Sequence, residues 1–210
     1  METVIKFENY KKILKGRMVL NDINIEMKSG NIYKLRGTNG SGKTMLLRAI
    51  SGLIYPTDGK MLVNDVEITN KSIYPVSLGV LIENPSFWKD YTGYELLKYL
   101  ADIRGVIGKE EIEYNMERMG LEPTDKRKIS KYSLGMRQKL GIIQAVMEKP
   151  DVLLLDEPLN ALDGQSIKKF EHLLNEERER GALIVLAIHN DGDFMMDYDE
   201  VYLLEEGRIV

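Results

Sequence analysis

Gly37-Thr38-Asn39-Gly40-Ser41-Gly42-Lys43-Thr44 is the stretch that decides the fold. It fits G-x-x-x-x-G-K-[ST], a loop whose backbone cradles phosphate. Asn31 to Arg36 before it alternates as a strand, and Thr44 to Ile50 after it is apolar at helical spacing. That order of strand, loop and helix turns a pattern into a mechanism. Gly37, Gly40 and Gly42 permit turns and close backbone approach that a Cβ would block. The loop N–H groups then converge on an anion site at a helix N-terminus. Lys43 adds a mobile positive charge for β- and γ-phosphates, and Thr44 offers a hydroxyl to Mg²⁺. Phosphate binding alone does not say what is done to the phosphate.

Composition bounds the answer. A chain of 210 residues has room for one α/β core. Hydrophobic content of 43% and charged content of 30% describe a soluble globular protein. The net charge of −4, without a long basic run, disfavours nucleic acid as a partner. The absence of cysteine excludes disulfides and thiolate metal sites and suits a reducing compartment. The first residues lack a basic segment followed by an apolar one, so no signal peptide is expected. The longest apolar run, Ala182 to Ile188, falls far short of the roughly 18 residues of a membrane span and reads as a buried strand. Any membrane process would need another polypeptide to do the spanning.

Outward from the phosphate loop, strands are expected over Val4 to Tyr10 and Leu20 to Met27, with Lys11 to Val19 as a polar turn region. A short hairpin is expected around Asn64-Asp65, and Leu78 to Ile82 reads as a buried strand. From Asn84 the character changes. Thr92-Gly93-Tyr94-Glu95 is a capping box. The helix it starts carries Leu96, Leu97, Leu100 and Ile103 on one face. Ile112, Met116 and Met119 form a second amphipathic stripe, and Leu134 to Glu148 a third helix. Residues 84–149 thus read as a helical insertion in an otherwise alternating chain, within a single domain spanning 1–210. Asp151 to Asp156 is a continuous apolar strand, and Asp163 can cap a helix bearing Ile167, Phe170, Leu173 and Leu174. The run Glu176 to Arg180 reads as a solvated face, and the last residues as a hairpin.

Two further constellations bear on chemistry. The strand Val152 to Asp156 ends in Asp156-Glu157, and ligands of open α/β sheets sit at the carboxyl ends of strands. Asp156 is placed to hold Mg²⁺. Glu157, one residue further out, can orient and polarise a water aimed at the γ-phosphate. His189 directly follows the strand Ala182 to Ile188, where it could reach the γ-phosphate, whereas His172 gets only a structural reading. Tyr132-Ser133-Leu134-Gly135-Met136-Arg137-Gln138 opens the third helix, and its serine and glycine make a small anion site at the helix start.

Phosphate loop, helical insertion, serine-glycine helix start, Asp-Glu strand and histidine, in that order, resemble the nucleotide-binding subunits of ATP-binding cassette (ABC) proteins. The resemblance covers nearly the whole chain, with Asp156 following Ser133 by 23 residues and His189 following Asp156 by 33. It implies a phosphate-loop α/β fold with a mixed sheet core, an N-terminal antiparallel β subdomain and an inserted helical subdomain. It implies ATP and Mg²⁺ as ligands. By resemblance Tyr10 stacks on adenine, and Ser133 and Gly135 are the signature that closes over ATP held by a second subunit. Asp163 communicates across that dimer, Glu157 is the catalytic base and His189 the switch histidine.

Departures from the family pattern are informative. The signature usually reads Leu-Ser-Gly-Gly-Gln; here it is Tyr132-Ser133-Leu134-Gly135-Met136. Where the family has a glutamine near the metal and the membrane subunit, this chain has Glu83, which can serve the metal shell at the cost of added negative charge. No regulatory domain is expected after the last hairpin. Both substitutions resemble the branch that includes bacterial exporters of antimicrobial peptides and drugs. The implied function is an ATPase that powers a separate membrane-spanning permease, located in the cytoplasm at the inner face of the membrane. Phe87, Trp88, Tyr91 and Tyr94 form a candidate docking groove. The alternatives are a soluble ABC ATPase of translation or DNA maintenance, or another phosphate-loop enzyme. A GTPase would want Asn-Lys-x-Asp, and Asn70-Lys71-Ser72-Ile73 lacks the aspartate; no acceptor site or arginine-rich lid of a kinase is found.

Overall fold

The computed structural model describes residues 2–83, 85–189, 192 and 194–210. Asn84, the expected first residue of the helical insertion, lies outside them. The chain opens with a long hairpin, β1 (Val4–Leu14) and β2 (Arg17–Lys28). The expected polar turn region is instead continuous strand, closed by Lys15 and Gly16 with φ of 48° and 77°. Two consecutive left-handed residues match the right-handed twist of the flanking strands, so a tight turn replaces a loop.

β3 (Ile32–Arg36) then feeds the phosphate loop and α1 (Lys43–Ile50). β4 (Asp58–Val63) and β5 (Val66–Glu67) form the short hairpin, turning at Asn64 and Asp65 with φ of 49° and 63°. β6 (Leu78–Leu81) leads to α2 (Gly93–Arg104), α3 (Lys109–Met119) and α4 (Leu134–Val146). β7 (Val152–Asp156), α5 (Gly164–Glu179), β8 (Leu183–Ala187), β9 (Glu200–Glu205) and β10 (Arg208–Ile209) complete the order.

Among the described residues the strands make two sheets. A four-stranded antiparallel sheet runs β2-β1-β4-β5, and a six-stranded mixed sheet runs β10-β9-β3-β8-β7-β6. β3 pairs parallel with both β8 and β9, and β7 pairs parallel with β6 and β8. This is the expected α/β phosphate-loop architecture, with its antiparallel β subdomain and inserted helices.

The mixed sheet separates two apolar cores. Leu153 and Leu155 of β7 enter the core shared with α2 to α5, while Val152 and Leu154 enter the core beneath α1 and the antiparallel sheet. A strand covered on both faces has no wet side, which is why β7 and β8 read as unbroken apolar runs. β6 meets α4 so closely that a Cβ on Gly79 would overlap the Ala145 carbonyl oxygen.

The capping box of α2 forms as expected. The Glu95 N–H donates to Thr92 Oγ1 at 3.2 Å, and the Thr92 N–H donates to Glu95 Oε2 at 2.7 Å. Two expectations are corrected. Ile103 is 69% exposed, because the buried stripe of α2 passes through Leu96, Leu97 and Ala101 and leaves it on the far side. Glu177 is buried within the run read as solvated, its carboxylate accepting from Arg180 Nη2 at 2.7 Å.

Candidate functional site

The phosphate loop is fixed from both flanks. The Gly207 N–H in the β9–β10 turn donates to the Ser41 carbonyl at 2.8 Å, and the Asn21 N–H of β2 donates to the Gly207 carbonyl at 2.7 Å. A Cβ on Gly37 would overlap the Leu204 carbonyl oxygen, so the loop lies against β9 as only glycine allows. Lys43 is buried, and its Nζ donates to the Gly37 carbonyl at 2.7 Å and the Thr38 carbonyl at 3.1 Å. Those bonds hold the ammonium over the loop. Ser41 Oγ is buried and has no hydrogen-bond partner among the described residues, a hydroxyl with room for an acceptor.

Thr44 Oγ1 donates to Asp156 Oδ2 at 2.7 Å, joining the first turn of α1 to the end of β7. Asp156 is 6% exposed. Burial pushes its carboxyl above the ordinary range, while the Thr44 hydroxyl, the Glu83 main-chain N–H and the Lys43 charge pull it back. A hydroxyl and a carboxylate beside a phosphate loop are the oxygen donors a hard divalent cation takes, and the unpartnered Ser41 hydroxyl fits a phosphate. The residues present therefore fit a triphosphate with Mg²⁺.

A cavity of about 570 Å³ runs along the loop, lined by Asn39, Gly40, Gly42, Lys43, Thr44, Asp156 and Glu157 among others. A smaller one of about 210 Å³, lined by Glu83, Gln138, Asp156, Glu157 and Asn160, meets it at the two carboxylates. The structure thus brings together the loop, Asp156 and Glu157 as expected. Glu83 reaches the group through its N–H, but its carboxylate is paired with Arg48 Nη2 at 2.6 Å. Direct metal ligation by Glu83 would require breaking that pair.

A family model described as ABC transporter matches residues 20–160. The chain belongs to the ABC transporter family. It is 40% identical over 206 residues to the uncharacterized ABC transporter ATP-binding protein YybJ of Bacillus subtilis (strain 168), covering 98% of this chain and 94% of that protein. It is 36% identical to the bacitracin transport ATP-binding protein BcrA of Enterococcus faecalis, covering 100% of this chain and 69% of BcrA. A solved structure of an ATP binding subunit of an ABC transporter superposes with a TM-score of 0.85 at 25% identity, covering 98% of this chain and 88% of that one. The reaction of such an ABC cassette is ATP hydrolysis.

In this ABC cassette Ser133 caps α4, its Oγ accepting from the Met136 N–H at 3.2 Å. A Cβ on Gly135 would lie 2.6 Å from the Ala161 carbonyl oxygen, so the helix start packs tightly on the turn before α5. Asp163 caps α5 through the Ser166 N–H at 2.8 Å, and that bond with the Ser166 hydroxyl holds its carboxyl below the usual range. Neither Ser133, Gly135 nor Asp163 lines the cavity of the phosphate loop. His189 is exposed and shares a separate depression with Gly37, Thr38 and Glu206.

Tyr10 is a correction. It is 1% exposed, packed edge-on to Phe7 with ring centroids 5.0 Å apart, and its hydroxyl donates to the Ile54 carbonyl at 3.2 Å. Asn9, with a φ of 48°, shifts the register between Phe7 and Tyr10, so both rings point into the core, where no base can stack on Tyr10. Gln138 was missed by the sequence reading. It is 5% exposed, and its Nε2 donates to the Glu157 and Pro158 carbonyls at 3.1 Å each. A polar residue at a core position of α4 is the signal that could have found it.

Proposed function

We propose that this chain is the ATPase of an exporter that moves an antimicrobial peptide or drug-like compound through a separate membrane-spanning permease. The single observation that carries the chemistry is the Thr44–Asp156 contact at the mouth of the phosphate loop, with Glu157 beside it. The substrate class is supported by similarity to a bacitracin transport ATP-binding protein along the whole chain. Among the described residues no helix is long and apolar enough to cross a membrane, which suits a peripheral subunit docked at the inner face of the membrane. The alternative in translation or DNA maintenance finds no favouring observation.

In this reading Lys43 and the loop N–H groups bind the β- and γ-phosphates. Thr44 and Asp156 would hold Mg²⁺, which when bound neutralises developing charge on the phosphoryl oxygens. Glu157 orients the attacking water and takes its proton. His189, at the other lip of the loop, contacts the γ-phosphate side. Ser133 and Gly135, remote from their own loop, serve ATP bound by a second cassette, and Asp163 lies at that same junction. The inserted helices α2, α3 and α4 form the helical subdomain that carries this signature. The exposed Trp88, its ring 5.6 Å from Tyr91 and 5.0 Å from Tyr99, marks the docking surface for the permease.

The test is reconstitution with a candidate membrane-spanning permease. Vesicles should move a bacitracin-like peptide only with MgATP, and Glu157→Gln should stop them. Transport undiminished by Glu157→Gln would reject the proposal.

A further inference from the structure

Glu83 brings a third acidic residue to the smaller cavity, beside Asp156 and Glu157. Like charges around one small volume repel each other, and they repel the triphosphate that must come near. The structure answers that charge. Glu83 has a φ of 62°, and this left-handed turn just past β6 parts its main chain from its side chain. Its N–H donates to the Asp156 carboxylate, while its own carboxylate accepts from Arg48 Nη2 at 2.6 Å. Arg48 lies one turn after Thr44 on the same face of α1, and Thr44 Oγ1 donates to Asp156 Oδ2. Thr44, Asp156, Glu83 and Arg48 thus close a ring, with the cation donors on one side and the ion pair on the other.

We propose that Arg48 is a positioning residue: it holds the Glu83 carboxylate away from the cation donors Thr44 and Asp156, so that Glu83 is no metal ligand while the pair stands. This rests on the ATPase reading and deepens it. A guanidinium is always charged and grips a carboxylate with directed N–H bonds, so it both neutralises Glu83 and fixes its direction. The Glu83 side chain is 60% exposed, with room to turn once Arg48 is gone. A freed carboxylate is a hard oxygen donor in the cavity shared with Asp156, the type of ligand a divalent cation takes. Arg48 therefore sets how many carboxylates the cation meets, one fewer than the lining of that cavity offers.

The experiment titrates Mn²⁺ into the purified chain, held in excess over a non-hydrolysable ATP analogue, and reads free Mn²⁺ by electron paramagnetic resonance. Glu83→Gln should leave the Mn²⁺ Kd within about threefold of wild type, because the carboxylate it removes is already held away. Arg48→Met should lower that Kd by about five- to twentyfold. The Arg48→Met/Glu83→Gln double variant should lose the gain, and Arg48→Lys, which keeps the charge, should stay near wild type. A Kd raised more than about threefold by Glu83→Gln, no gain in Arg48→Met, or a gain that persists in the double variant would each overturn the proposal while leaving the ATPase reading intact. A folded chain that binds no nucleotide analogue would overturn both. Circular dichroism of each variant confirms folding, so a changed Kd is read at the ring.

Discussion

Gln138 Nε2 donates to the main-chain carbonyl of Glu157 at 3.1 Å, tying the first turns of α4 to the residue just past β7. Glu157 has a φ of 48°, and its N–H donates to the Ala187 carbonyl at 2.8 Å. A non-glycine residue held left-handed costs on the order of 1 kcal/mol and persists only where neighbours over-determine it. Gln138 and Ala187 do so here, from opposite sides. The strain aims the Glu157 side chain at the junction of the two cavities.

Gln138→Leu keeps the volume but strands the buried Pro158 carbonyl and the part-buried Glu157 carbonyl. The cost is about 1–3 kcal/mol, read as a lower Tm. Since Gln138 acts through Glu157, kcat should fall about tenfold or more with KM little changed, while Gln138→Glu, unable to donate when ionised, should not rescue. A variant with lower Tm but wild-type kcat would show that the contact is structural only.

Lys43→Ala removes the ammonium above the loop. Its charge-assisted contact with phosphate is worth about 1.5–3 kcal/mol, so Kd for ATP should rise roughly ten- to hundredfold. Direct titration checks it. Unchanged affinity would mean that the loop holds its anion by backbone alone.

Trp88 is 51% exposed and does not line the cavity of the phosphate loop. Trp88→Ala should leave ATP hydrolysis by the isolated chain near wild type. Co-purification with the membrane protein should drop. Equal recovery of that protein would move the docking surface elsewhere.

Glu95 predicts a pH effect. Its carboxyl lies below the ordinary 4.5 because the Thr92 N–H donates to it, aided by Lys128 and the Thr92 hydroxyl. A depressed folded pKa gives stability that is full above about pH 4.5 and lost as pH falls through the folded value. Glu95→Gln should therefore lower Tm near neutrality and shrink the difference from wild type in acid. The check is Tm against pH for both proteins; parallel curves would contradict it.

Much of this was legible from residues that act locally. The phosphate loop, the Thr92–Glu95 capping box and the two-sided burial of β7 and β8 each follow from a short pattern, and each stands in the structure. The site depends on longer links. The Thr44–Asp156 bond spans 112 positions and was readable only because one motif needs the other's metal ligand. Tyr10 failed because strict alternation along β1 does not hold there. Asn9, with a φ of 48°, shifts the register between Phe7 and Tyr10 and brings both rings onto the core face. Glu177 looked solvated because its neighbours are charged, but Arg118 and Arg180 close over it. Gln138 was hidden because its partners are carbonyls of another segment.

The central claim is that two cassettes clamp ATP between the loop of one and the Ser133 helix start of the other. Glu157→Gln should bind ATP without consuming it and hold that clamp shut. Light scattering of this variant with saturating MgATP should give twice the 24.1 kDa chain mass, returning to one chain mass when ATP is withdrawn. A variant that binds ATP yet stays at one chain mass, alone and together with its membrane partner, would contradict the account.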